Sequence, residues 1–190
     1  MSGKVYNETS LKEYVNDLAA KIPAPGGGSA AALSAALGQA LVSMVINYTV
    51  GKPKYAAHES EMKALLDRSE KLRLEFMGLV DRDVAAFNSG DVRQALDIPL
   101  MLARLCFEGM KICPPLIPKG NVNLISDVAV GAVFLEAAFA SAYFNVEINL
   151  KTFEDQKLAK QIRKELERKK KAMANMRKTV EVKVGKIIRG

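Results

Sequence analysis

The chain has little to offer thiol, imidazole or metal chemistry: its 190 residues contain two cysteines and one histidine. Cys106 and Cys113 lie in one apolar segment, on one face if it is helical, and read as reduced core thiols. No cluster of ligand-type residues accompanies them, so no metal site is expected. His58 stands among Lys54, Glu59 and Glu61 near a helix start and reads as a surface residue. Nucleotide signatures are missing too. A P-loop needs Gly-Lys-Ser/Thr where this chain has Gly28-Ser29-Ala30. A dinucleotide fingerprint needs a strand before its spaced glycines, whereas Leu18–Ile22 reads as the end of a helix. No alternation of apolar and polar residues persists, which argues against a sheet. No basic-then-apolar leader opens the chain, so a cytoplasmic protein is expected.

What is present is a hydrophobic, unevenly charged chain. Hydrophobic residues make up 49% of it, enough for a real core, and the length suits one domain over residues 1–190. The formal net charge is +7, but it is concentrated. From Lys151 onward, 14 Lys and Arg stand against 5 Asp and Glu; the first 150 residues hold 14 against 16. A basic C-terminal segment can meet nucleic acid, an anionic substrate tail or an acidic partner surface, or it can be a solvated amphipathic helix. It lacks interleaved aromatics and any reader motif, so nucleic acid is not the expected partner.

Almost every segment reads as helix. Ser10 and Glu13 form a capping box for a short helix to about Ala20. A second helix is expected from Ser29 to about Val50, and a third from near Ala56 to Ser89-Gly90. A fourth is expected from Pro99 in its first turn to about Ile112, before Pro114, Pro115 and Pro118. A fifth spans roughly Asn123 to Ile148 and a sixth Phe153 to Val184. The expected fold is all-α, a helical bundle with long Ala/Gly/Ser-rich helices, packed as a dimer. The second and fifth helices are long enough to span a bilayer. Their small residues and interspersed amides and acids favour core helices of a soluble oligomer, with no membrane partner.

Two polar features stand out. Pro23-Ala24-Pro25-Gly26-Gly27-Gly28-Ser29 joins a rigid turn, a bare backbone and a helix start with Ser29 as N-cap. Glycine there permits unusual backbone conformations and close approach, and free N–H groups at a helix start attract anions. A tight turn between closely packed helices is the plainer reading of the same residues. The second feature is Gly120-Asn121-Val122-Asn123-Leu124-Ile125-Ser126-Asp127. Asn123, Ser126 and Asp127 share a helical face, and Asp127 precedes an apolar run with no cation before Lys151. Such a carboxylate needs a hydrogen-bond partner or a function. Asn145 returns to the azimuth of Asp127 after about 27 Å of helix, with Asn149 nearby. Antiparallel pairing of this helix across a two-fold axis would bring Asp127 of one copy near Asn145 of another. Ser29 and Asn47 repeat that spacing on the second helix; taken singly, Ser29, Asn47 and Asn123 read as caps or satisfied hydrogen-bonding groups.

Pro23–Ala32, Met44–Thr49, Lys54-Tyr55, Asp83–Phe87, Gly120–Asp127 and Asn145–Asn149 occur in an order that resembles the cyclodeaminase domain family, known as the C-terminal half of formiminotransferase-cyclodeaminase. The likeness runs from about Leu11 to Lys151. It implies an all-helical homodimer or higher homo-oligomer with a folate groove between subunits. It also implies a tetrahydrofolate derivative as substrate and no prosthetic group. Members include formimidoyltetrahydrofolate cyclodeaminases and stand-alone methenyltetrahydrofolate cyclohydrolases. Both reactions need a carboxylate to stabilise a cationic carbon and take a proton. The resemblance points to Asp127 first and Asp83 second as catalytic residues. Substrate binding falls to Gly26, Gly27, Gly28, Ser29, Asn47, Lys54, Tyr55, Asn121, Asn123, Ser126, Asn145 and Asn149.

The chain departs from the family pattern between Phe87 and Pro99. Asn88–Ile98 is shorter than usual and lacks a lysine often found there in other members, so either part of the substrate site is missing or Arg93 or a basic tail residue replaces it. A folate-binding or scaffold dimer without catalysis is the alternative of another class. Between the reactions, hydrolysis of 5,10-methenyltetrahydrofolate to 10-formyltetrahydrofolate is favoured. No formiminotransferase segment is present here to hand over a formimino group.

Overall fold

The computed structural model describes residues 4–190, and among them there is no strand. Seven α-helices follow in order: α1 (Leu11–Ala19), α2 (Gly27–Asn47), α3 (Glu59–Ser89), α4 (Val92–Met110), α5 (Cys113–Lys119), α6 (Ile125–Leu150) and α7 (Gln156–Arg189). The all-α bundle read from the sequence is the observed one.

Helices α2 and α6 run antiparallel through the centre, α2 packing chiefly on α3 and α6, and α6 also on α4 and α7. By length and composition alone both are long and apolar enough to cross a membrane. Here their inner faces bury Ala32, Ala35, Val42 and Ile46 against Val128, Ala132, Leu135 and Ala138. The two backbones meet at a pair of glycines. A Cβ on Gly131 would stand 2.9 Å from the Gly38 carbonyl oxygen, and one on Gly38 would stand 3.0 Å from that of Gly131. Small residues are thus what lets these helices touch. On the outer side a strip of α6 stays exposed, with Val130, Val133, Phe144 and Ile148, flanked by Leu37 and Tyr48 from the α2 side.

Three local expectations are corrected. Helix α2 starts at Gly27 with Gly26 as N-cap, so Ser29 lies inside the first turn and its side chain does not cap. Glycines 26–28 have no positive φ; their use is room for neighbours, not an unusual backbone. Helix α4 starts at Val92, capped by Asp91, which accepts from the Arg93 and Gln94 amides at 2.8 and 3.2 Å. The short connection therefore consists of Gly90, left-handed at φ 67°, and Asp91.

Pro99 sits in the interior of α4, where a proline deprives the carbonyl four residues earlier of its N–H partner. That carbonyl belongs to Ala95, and Asn149 Nδ2 donates to it at 2.7 Å. The side chain of α6 replaces the lost helical bond, which is why the helix continues through the proline. Nor do the later prolines prevent a helix: Pro114 and Pro115 occupy the first turn of α5, where no internal N–H bond is required.

Candidate functional site

A cleft of about 370 Å³ opens where the N-terminus of α2 meets the C-terminal ends of α3 and α6 and the middle of α4. Gly26, Gly27 and Gly28 form one wall, Asp83 and Phe87 another, and Asn145, Ile148 and Asn149 a third; Ala95 and Pro99 close the fourth side. Two segments separated by more than a hundred residues thus supply the glycine turn and the amides, as the antiparallel α2–α6 pairing requires.

Asp83 has room there because Gly28 carries no side chain. A Cβ on Gly28 would lie within 2.6 Å of the Asp83 carboxyl carbon. The carboxylate thus occupies the volume that any other residue would fill. Burial pushes its pKa above the ordinary carboxylate range, while the Ser29 backbone N–H draws it the other way. A carboxyl raised by desolvation is suited to giving and taking protons.

The two asparagines have fixed orientations. Asn145 Nδ2 donates to the Ser141 carbonyl at 2.9 Å, and Asn149 Nδ2 to the carbonyls of Ala95 and Asn145 at 2.7 and 2.9 Å. Asn149 has both N–H groups committed and Asn145 one of its two, and neither Oδ1 has a donor among the described residues. The cleft therefore presents acceptors on two sides, and first-turn amides of α2 on the third.

The other expected site residues gather at the opposite end of the α2–α6 pair, about 27 Å away along the helix. There Thr49 is fully buried; its hydroxyl donates to the Val45 carbonyl at 2.7 Å and accepts from the Asn121 amide at 2.8 Å. Asn121 Nδ2 reaches the Tyr48 carbonyl and Tyr55 Oη accepts from the Val122 amide at 3.1 Å. Asn121 also caps the single 3-10 turn before α6, accepting from the Asn123 amide. Lys54 lies over the Tyr55 ring, 5.5 Å from its centre, and Asn47 ends α2 exposed. Asn123 and Ser126 are exposed. Asp127 is half-buried in the first turn of α6, where the helix dipole favours a carboxylate; it has no hydrogen-bond partner among the described residues.

Within one chain, then, the structure brings together Gly26, Gly27, Gly28, Ser29, Asp83, Asn145 and Asn149, and separately Asn47, Lys54, Tyr55, Asn121, Asn123, Ser126 and Asp127. Sequence reasoning did not place Ala95, Pro99 or Ile148 in the site. Pro99 carried a signal, since an interior proline leaves a carbonyl to be satisfied. Both thiols are fully buried, and burial pushes Cys113 up to about 12, so neither serves as a nucleophile.

A helical bundle with one carboxylate in a cleft of amides and glycines has the groups that proton transfer needs. The chain matches the formiminotransferase-cyclodeaminase family over residues 10–91 and 90–168, and it belongs to that family. A methenyltetrahydrofolate cyclohydrolase of Methylorubrum extorquens is 38% identical over 184 residues, covering 85% of this chain and 88% of the relative. The formimidoyltransferase-cyclodeaminase of Mus musculus is 35% identical over 171 residues, and the chain spans about a third of that protein's length (32%). In three dimensions the chain resembles a formiminotetrahydrofolate cyclodeaminase from Thermotoga maritima, with TM-score 0.90 and 28% identity over 96% of this chain and 99% of that one.

Proposed function

We propose that the chain hydrolyses 5,10-methenyltetrahydrofolate to 10-formyltetrahydrofolate. The observation that carries this reading is the charge of the cleft. Among the described residues that line it, Asp83 is the one ionisable side chain, and no cation stands beside it. The methenyl bridge is an amidinium cation, so a buried carboxylate attracts it and stabilises positive charge on its carbon. Water adds to that carbon while Asp83 takes a proton. The neutral adduct then collapses: its hydroxyl loses the second proton as the formyl carbonyl forms, the carbon–N5 bond breaks, and N5 receives the proton held by Asp83. One proton is released overall. Asn145 and Asn149 Oδ1 would accept from N–H groups of the pterin edge, and the α2 amides would receive a carbonyl oxygen. No metal or prosthetic group is needed for these steps.

We extend the proposal to a homodimer working in the cytoplasm. The exposed apolar strip of α6 supports the homodimer, because antiparallel pairing of two such strips would bring Asp127 of the partner subunit beside Asn145, at the cleft edge. Asp127 then adds a second carboxylate, and Asn123 and Ser126 come with it.

A second reading, cyclodeaminase, is favoured by the Thermotoga structure, whose chain is covered to 99% and whose description names that activity. Here N10 attacks the formimino carbon, its proton passes to the formimino nitrogen, and that nitrogen takes a second proton and leaves as ammonia while the cationic methenyl bridge forms. Purified protein with 5,10-methenyltetrahydrofolate should speed the loss of near-ultraviolet absorbance in proportion to its amount. Ammonia release from 5-formiminotetrahydrofolate without that acceleration would replace the first reading by the second. Neither activity would end both.

A further inference from the structure

We propose that Tyr14 is a positioning residue of the cleft, acting through the Ser29 hydroxyl to fix the first turn of α2 and with it the Asp83 carboxylate. This rests on the reading of Asp83 as the proton-transfer group. Tyr14 is buried on α1, outside the cleft lining, and its hydroxyl lies 3.1 Å from Ser29 Oγ. Ser29 is itself fully buried, and its backbone N–H is the group that draws the Asp83 pKa down. Gly28, next to Ser29, is the residue whose missing side chain the Asp83 carboxylate fills, so a path runs from Tyr14 through Ser29 and the first turn of α2 to Asp83. The Tyr14 ring is held in turn by Tyr6, edge-on with centroids 5.3 Å apart.

The surrounding charges leave this line as the adjustable element. From α1, Tyr14 is the titratable group facing Asp83, and burial raises its own pKa. On α3, Asp81 is engaged by the amides of Tyr6 and Asn7 at 2.6 and 3.3 Å, and Arg82 is paired with Glu75. The lining residues of α2, α4 and α6 are glycine, alanine, proline, isoleucine and asparagine.

Tyr14→Phe removes the hydroxyl and keeps the ring. With Ser29 released, the Asp83 carboxyl titrates at higher pH, which ¹³C carboxyl NMR reads without any substrate. The acid limb of the kcat profile moves the same way, with kcat lower by about tenfold and KM within about twofold. Ser29→Ala should reproduce the shift, and the double variant should add nothing to either single one. An Asp83 midpoint that stays put in folded Tyr14→Phe, or single shifts that simply add, would overturn the proposal. Should Tyr14→Phe fail to fold, Ser29→Ala decides alone: an unmoved midpoint sinks the idea. A protein inactive on folates would end the functional reading, while the NMR midpoint would still judge the role of Tyr14.

Discussion

The two polar ends of the α2–α6 pair are built from similar residues and do opposite things. At the far end, Thr49, Asn121 and Tyr55 use their polar groups on backbone, the Tyr48 carbonyl among it, so the junction before α6 is closed. At the near end three of the four asparagine N–H groups go to backbone and both oxygens lack a donor among the described residues, the glycines leave space, and a carboxylate is buried with no cation among the lining residues. Satisfied polar groups make a fastener; unsatisfied acceptors around a hollow make a site. Asp127 lies at the far end without a partner among the described residues, and it makes a second copy of the chain part of the proposal.

The sharpest way to separate the ends is Asp83→Asn, which should lower turnover about 10³-fold or more while Thr49→Val at the far end keeps it. Activity retained in Asp83→Asn would erase the distinction. Gly28→Ala comes next: its methyl group pushes the carboxylate out, so turnover should fall about 10- to 100-fold with the helix content unchanged by circular dichroism. Between the ends, Gly131→Ala forces the helices apart and should cost about 1–3 kcal/mol of stability in urea unfolding. At the far end, Thr49→Val leaves the Asn121 amide without its acceptor; about 1–3 kcal/mol of lost stability is expected, with kcat per folded molecule retained.

The smallest effect concerns pH. Because burial raises Asp83, the folded chain holds that proton more tightly than the unfolded chain. The stability it contributes is complete below the unfolded value and is lost as pH rises through the folded one. Asp83→Asn should therefore melt higher than the parent at neutral pH, by about 2–4 °C per kcal/mol, and the difference should shrink on acidification.

Helix content and order were legible because apolar spacing, the Ser10 cap and Gly90 act locally. The start of α4 was not, since Pro99 reads as a first-turn proline until Asn149, fifty residues later, is seen to satisfy the Ala95 carbonyl. Ser29 has every property of an N-cap, yet Gly26 takes that place and the serine turns inward to Tyr14. The glycine turn and Asp83 could be named as candidates from their residue types. That one occupies the missing side chain of the other is a contact between α2 and α3, and no spacing rule contains it.

The most direct measurement is turnover of 5,10-methenyltetrahydrofolate by co-expressed Asp83→Asn and Asp127→Asn chains, each inactive alone. A site shared across a two-fold axis predicts recovery of about a quarter of the parent's sites, from mixed dimers that carry one intact cleft. No recovery from mixed dimers isolated by two tags, or full activity in Asp127→Asn alone, would contradict it.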